Sequence, residues 1–279
     1  MLSSSEGYIV RSSSDCSSIA IRGGSERGNT YGGYWFLELV GIKMMHPLEP
    51  TILANTPISE DANELCLLNI SDTPYWPLRG WHYHTQHPLE LTEVLNGFDS
   101  VDDNGMNVSW SSMLPQVDLF FQWCLYNKLN FIEWLLLWAK EYDEFASSIE
   151  RQTRLATINE LAHNLTLLTS ADVPIALRQQ HSWFMIENAN DINWKQQIDD
   201  RLDWIFNGAQ FDFLGTESGS TEFTHSSCET MLSWINYTAL SVQNNFTTNS
   251  KHSSSKHSNE QKKLAFIKCH ISDAGTCPE

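Results

Sequence analysis

The feature that most constrains the fold is an ordered alternation of apolar segments and long helical patterns, which begins at residue 79. Apolar segments predict five strands, at residues 79–84, 131–138, 168–177, 211–215 and 264–271. Between them, helical periodicity predicts helices at residues 117–127, 148–168, 192–207 and 228–242. Strands that alternate with helices of this length form β/α units around a parallel sheet. The sequence therefore predicts an α/β fold with a partial (β/α) barrel of the TIM type.

The residues before this alternation predict a smaller unit of their own. Short strands and a helix at 34–39, which Gly41 would end, predict the remnant of an α/β domain within residues 1–60. The partial barrel is assigned to residues 72–279, with a low-complexity, solvated insertion at 247–263. A complete barrel of this type needs eight strands and about 250 residues. The five predicted strands therefore indicate a fragment, a truncated gene product or a degraded barrel.

Composition narrows the possible partners. The net charge of −17, from 17 basic and 34 acidic residues, argues against nucleic acid, because phosphate binding needs a basic face. No apolar run reaches the roughly 18 residues that a membrane span needs. The polar start does not resemble a secretory signal, which indicates a cytosolic protein or an incomplete N-terminus. Five N-x-S/T sequons nevertheless favour a secretory or extracellular route, and the six cysteines are interpreted mainly as buried thiols.

Polar and aromatic residues stand at the predicted strands, whose C-terminal ends carry the active site of a barrel. Eleven tryptophans favour a carbohydrate as substrate, because flat aromatic faces stack on the apolar faces of sugar rings. The predicted substrate-binding residues are Arg79, His84, Trp138, Asp172, His181 and Trp183. Neither a metal nor a cofactor is predicted for this site.

Glu217 follows the fourth predicted strand, among small residues that would let a substrate approach. Glycoside hydrolysis needs a carboxylic acid that protonates the leaving oxygen, and usually a second carboxylate. Apolar and aromatic walls raise the pKa of a glutamate, as an acid catalyst requires. The sequence therefore predicts Glu217 as the general acid, with Glu222 as a second candidate. A solvated or salt-bridged loop glutamate is the alternative interpretation of both.

Four segments in order resemble the barrel strands of family 20 glycoside hydrolases, the β-hexosaminidases. They are PYWPLRGWHYHT at 74–85, NKLNFIEWLLL at 127–137, ADVP at 171–174 and FLGTES at 213–218. Upstream, RGNTYGGYWFLELVGI and HPLEP resemble the α/β domain that precedes such barrels and is also seen in α-glucuronidase-like enzymes. The resemblance implies that Arg79 binds hydroxyls of the terminal sugar and that Glu217 matches the acid of the family.

The chain departs from the family pattern at positions that bear on mechanism. Thr216 stands where the family has the aspartate that orients the acetamido group of the substrate. His84 and His87 replace an aspartate and an arginine of the first strand. Specificity for N-acetylhexosamine is therefore not carried over, and a related sugar, another mechanism or no activity all stay open.

Two other functions fit the same segments. His82 and His84 form an HxH pair on the first strand, as in metal-dependent amidohydrolase-like barrels, and His270 could add a ligand. A truncated barrel that binds glycans without catalysis is the other alternative. In either case an open barrel edge would favour self-association through its unpaired backbone groups.

Overall fold

The computed structural model describes residues 5–52, 65–83, 91–137, 143–175, 182–186, 192–218, 227–246 and 265–269. The chain divides into two compact units. Unit 1 comprises Met1–Trp81, Met113–Phe131 and Leu161–Leu167. Unit 2 comprises His82–Ser112, Ile132–Glu160 and Leu168–Glu279.

From residue 79 onwards, the predicted strands and helices occur in the predicted order, together with short helices and a short hairpin that the sequence did not predict. The strands are β1 (Tyr8–Ser12), β2 (Ile19–Gly23), β3 (Ile42–His46), β4 (Glu49–Ile52), β5 (Asn69–Asp72), β6 (Gly80–Tyr83), β7 (Ser100–Val101), β8 (Asn107–Val108), β9 (Phe131–Leu135), β10 (Leu168–Asp172), β11 (Phe213–Ser218) and β12 (Ala265–Cys269). The helices are α1 (Glu26–Leu39), α2 (Thr92–Leu95), α3 (Trp110–Tyr126), α4 (Asp143–Ala146), α5 (Ile149–Asn164), α6 (Trp194–Asp203) and α7 (Cys228–Ser241). Short π-helical turns extend α6 and α7, at Trp204–Gly208 and Val242–Phe246. Within the described ranges, every helix is too short or too polar to cross a lipid bilayer.

Unit 1 is built on a small antiparallel sheet with the strand order β2-β1-β5. Tyr8 and Val10 occupy alternate positions of the central strand, and both are fully buried. Strand β5 pairs with β1 from Tyr8↔Asp72 to Arg11↔Asn69. The sheet therefore reaches residue 72, whereas the sequence places the end of this unit at residue 60.

Helix α1 packs against this sheet and begins at Glu26, whereas the sequence predicts a start at residue 34. Ser25 caps the helix, because its side chain accepts a hydrogen bond from the backbone N–H of Gly28. Gly32 allows the helix to approach the sheet closely. A Cβ atom at Gly32 would lie 2.7 Å from Ile21 Cγ2.

A disulfide joins Cys16, in the connection between β1 and β2, to Cys66, just before β5. The two Cα atoms lie 4.8 Å apart. The sequence analysis interpreted the six cysteines mainly as buried thiols and did not predict this pair. Cys124 is a buried thiol, and burial raises its pKa.

Unit 2 is built on a five-stranded sheet with the order β12-β11-β10-β9-β6. Strand β11 runs parallel to both β10 and β12. Strands β9 and β10 bury nearly all their side chains, as strands of a sheet covered on both faces do. The predicted α/β fold is confirmed. Strands β9 and β10 end earlier than predicted, at Leu135 and Asp172, and β11 continues to Ser218.

Candidate active site

Three strands of the unit 2 sheet bring polar side chains together: His82 from β6, Glu133 from β9 and Asp172 from β10. His82 Nδ1 lies 2.9 Å from Glu133 Oε1, and His82 Nε2 lies 3.8 Å from Asp172 Oδ2. The side chains of Glu133 and Asp172 are 4% and 1% exposed, whereas that of His82 is 32% exposed. The cluster therefore combines two buried carboxylates with an imidazole that reaches solvent.

Small residues on the neighbouring strands hold Glu133 in place. Ser170, on β10, donates a hydrogen bond to Glu133 Oε2 at 2.9 Å. Gly215, on β11, is in register with Asp172. A Cβ atom at Gly215 would lie 2.3 Å from Glu133 Oε2, so a larger residue would displace this carboxylate.

His82 lies close to both carboxylates of the cluster. Two carboxylates buried close together need a compensating positive charge or a proton, because a low-dielectric interior disfavours isolated anions. His82 lies between them, and its protonated ring would carry a positive charge to both. Such an arrangement can bind a hydroxyl group, transfer a proton or coordinate a cation.

Glu217 lies inside β11 and not after it, because the strand spans Phe213–Ser218. Its backbone is in register with Lys268 of β12.

The other predicted site residues have different placements. Asp172, the last residue of β10, belongs to the cluster. The predicted site residues that lie outside the described part of the chain are His84, Trp138, His181 and Glu222.

Arg79 lies in unit 1, one residue before β6, and not at the C-terminal end of that strand. Its guanidinium lies 2.6 Å from Glu6 Oε2 and donates to the Tyr31 hydroxyl at 3.0 Å and to the Lys128 carbonyl at 2.6 Å. The side chain is 14% exposed. This placement corrects the expected sugar-binding role, because the donors of Arg79 are committed to groups of unit 1.

Trp183 is a core residue of unit 2 and is 1% exposed. Its ring makes an edge contact with Trp204, with the ring centroids 4.6 Å apart. The Arg201 guanidinium lies 4.1 Å from the centroid of the Trp183 ring. This packing corrects the predicted stacking on a sugar, because the ring is already enclosed by protein groups.

The sequence interpretation missed Glu133. This residue interrupts the apolar run FIEWLLL, and a glutamate inside a buried strand is rare unless it has polar partners. That interruption is the signal that could have identified it. The partners themselves are remote, since Ser170 is 37 residues away in sequence and His82 is 51 residues away.

A parallel sheet whose strands alternate with helices is the architecture of a partial (β/α) barrel, and known barrel structures are similar to this chain. The chain is similar to the family 84 glycoside hydrolase CpGH84B, with a TM-score of 0.52 and 13% identity over 95% of this chain and 36% of that one. It is also similar to a family 20 β-N-acetylglucosaminidase, with a TM-score of 0.51 and 10% identity over 94% and 54% of the two chains. For a β-N-acetylhexosaminidase the TM-score is 0.50 and the identity 8%, over 85% and 56%.

These similarities confirm the predicted resemblance at the level of the fold, which is a partial barrel like part of the family 20 and family 84 structures. The chain spans between about a third and somewhat more than half of the structures it matches. No protein family and no curated protein matches the sequence.

Proposed function

We propose that this chain is a carbohydrate-processing domain of the glycoside hydrolase type. The observation that carries the proposal is the cluster of His82, Glu133 and Asp172 in a barrel-type sheet. Buried carboxylates beside an imidazole can accept hydrogen bonds from sugar hydroxyls and exchange protons with them. Barrels of this kind keep their chemistry at the C-terminal ends of the strands, and Asp172 lies at such an end.

In this proposal Glu217 is the general acid that protonates the leaving glycosidic oxygen. Asp172 and Glu133 orient the hydroxyls of the sugar, and His82 balances their charge. Thr216 cannot replace a carboxylate, so attack by an acetamido group of the substrate would lack its orienting partner.

Three further residues are proposed to contact the sugar, and one further carboxylate is a candidate for catalysis. His84, Trp138 and His181 follow strands of the sheet and are proposed to contact the sugar. Glu222 is the alternative for a second catalytic carboxylate.

The test compares two leaving groups. Glu217→Gln should lower kcat on a natural glycan by about 10²-fold, because general acid catalysis contributes on that order. Dinitrophenyl glycosides should lose much less, because their leaving group needs no protonation. Glu229→Gln is the matched control, since Glu229 is exposed in the first turn of α7.

A panel of aryl glycosides, with β-N-acetylglucosaminide among them, would identify the sugar. Equal losses on both kinds of substrate would remove Glu217 from the acid role. Binding of oligosaccharides without turnover, measured by calorimetry, would favour a non-catalytic glycan-binding barrel. If the chain neither binds nor hydrolyses any member of the panel, a carbohydrate function is refuted.

A divalent metal site is the second candidate, because the same cluster contains the ligand types that zinc uses. His82, Glu133 and Asp172 each offer one ligand atom, and these atoms lie within 4.8 Å of one another. The metal hypothesis of the sequence analysis named only histidines as ligands and no carboxylate. Its other histidines, His84 and His270, lie outside the described residues.

Zinc binding separates the two candidates. If the metal candidate is correct, equilibrium dialysis of the full chain against Zn²⁺ should show one bound ion that is lost in His82→Ala and kept in His46→Ala, a variant of an exposed histidine on β3. Hydrolysis that survives chelation, with no bound zinc, would eliminate the metal candidate.

A further inference from the structure

The asparagines of the sequons share one structural property. All five are exposed, namely Asn69, Asn107, Asn164, Asn236 and Asn245. By contrast, the buried asparagines Asn96, Asn130 and Asn159 are at most 1% exposed, and each lies outside a sequon. The positions that could accept an N-linked glycan are therefore positions where the folded chain has room for one.

The disulfide is an independent indication of the same route. Cys16 and Cys66 are joined in unit 1, and disulfides persist in the oxidising compartments of the secretory pathway and outside the cell. Sequons are modified in the same secretory pathway. Sequons can arise by chance in a chain rich in Asn, Ser and Thr. The disulfide does not depend on that composition, so it supports the secretory route independently of the sequons.

Two of the five positions stand at the ends of secondary-structure elements. Asn107 begins strand β8 of a two-stranded hairpin, and Asn164 is the last residue of α5. The side chains of two others form hydrogen bonds. Asn69 Oδ1 accepts from Arg11 Nε at 2.8 Å, and Asn245 Nδ2 donates to Ser241 Oγ at 3.1 Å.

We propose that this protein carries N-linked glycans on Asn107 and Asn164, and that it acquires them in the oxidising compartment where Cys16–Cys66 forms. The transfer joins the asparagine Nδ2 to C1 of an oligosaccharide carried on a lipid diphosphate. The C1–O bond to the diphosphate breaks, the lipid diphosphate leaves, and the amide gives up one proton. The disulfide forms as two thiols give two electrons and two protons to a disulfide-bonded oxidant. The proposal does not depend on the glycosidase function.

The experiment expresses the full chain in a eukaryotic cell behind a cleavable secretory leader. Secreted and retained protein are both digested with peptide N-glycosidase in ¹⁸O-water, and mass spectrometry locates each asparagine that has become ¹⁸O-labelled aspartate. We expect labelled Asn107 and Asn164, and a Cys16–Cys66 peptide that separates only after reduction.

Variants of the hairpin assign the site. Ser109→Ala should abolish labelling at Asn107 although the asparagine remains, and Ser109→Thr should restore it. Asn104→Gln, an exposed asparagine of the same hairpin outside any sequon, should change nothing. An unlabelled Asn107 or Asn164 in oxidised protein would overturn the assignment of that residue. Free thiols at Cys16 and Cys66 would overturn the assignment of the compartment.

Discussion

At the scale of single residues, Glu6 shows how unit 1 uses a partly buried charge. Its carboxylate accepts hydrogen bonds from Arg27, Asn130 and Arg79. Burial acts to raise the pKa of Glu6, but these three hydrogen bonds outweigh it and hold the pKa below the ordinary value of 4.5. Since the folded-state pKa is the lower one, the ionised carboxylate stabilises the fold above about pH 4.5, and this stabilisation is lost as the pH falls through the folded value.

Glu6→Gln should therefore destabilise the protein at pH 7 by about 2 kcal/mol, the usual contribution of hydrogen bonds to a charged group. The difference between variant and wild type should shrink as the pH falls below 4.5, where the unfolded carboxyl is already protonated. Urea titrations at pH 7 and pH 3 measure it. Asp103→Asn, at an exposed turn residue, is the control and should be near neutral at both values. A pH-independent difference would show that packing, and not charge, accounts for the role of Glu6.

At the scale of elements, the alternation of strands and helices predicted the order of the unit 2 sheet, but it did not predict what each glycine does. The sequence analysis places the start of α1 at residue 34, after Gly28, Gly32 and Gly33. In the structure Gly28 and Gly32 lie within the helix, where a Cβ atom would collide with neighbouring groups of unit 1. Such close approaches depend on tertiary packing, which a local pattern does not contain.

The same reason limits what the sequence could say about the site. Asp172 was predictable because it is a carboxylate within an apolar strand, and that strand follows from hydrophobic patterning, although the predicted strand continues to residue 177. Arg79 was misplaced because its acidic partner, Glu6, is 73 residues away in sequence. Trp183 was misplaced because its enclosure by Trp204 and Arg201 is a tertiary contact.

Strand β11 offers a test of the packing around Glu133. Gly215→Ala should destabilise the protein by about 1–3 kcal/mol, the usual cost of overpacking, because the new methyl group would meet Glu133 Oε2. Gly33→Ala is the matched control: a Cβ atom there has no neighbour within 4 Å, so the change should stabilise α1 by about 0.4–1 kcal/mol. Thermal and urea unfolding report both effects.

A second variant makes the cause specific. Adding Glu133→Ala to Gly215→Ala removes the collision, so the double variant should lose less stability than the two single changes together. Strict additivity would show that the strain at Gly215 arises from a different contact.

At the scale of the whole molecule, the fold and the chemistry have separate origins. The barrel fold supports many reactions, so the sheet by itself does not determine one. What the sheet does determine is which backbone groups stand at its margins. In the described part of the chain, β12 and β6 are the outer strands. The outer strand of a sheet is the position at which another chain can add a strand.

We therefore expect this chain to self-associate, with a sedimentation coefficient that rises with protein concentration. Trp81, the second residue of β6, is 47% exposed, and a lysine there should oppose pairing at that edge, because charged residues protect edge strands from association. Trp76→Lys is the matched control: it makes the same change at a residue that is 65% exposed and lies outside the strands. Trp81 makes an edge contact with Trp123, so the melting temperature of each variant must be measured alongside sedimentation.

If only Trp81→Lys shifts the distribution towards monomer, at an unchanged melting temperature, β6 is the associating edge. A wild-type chain that sediments as a single monomer at all concentrations and melts cooperatively would contradict the expectation, and would mean that both outer strands are covered.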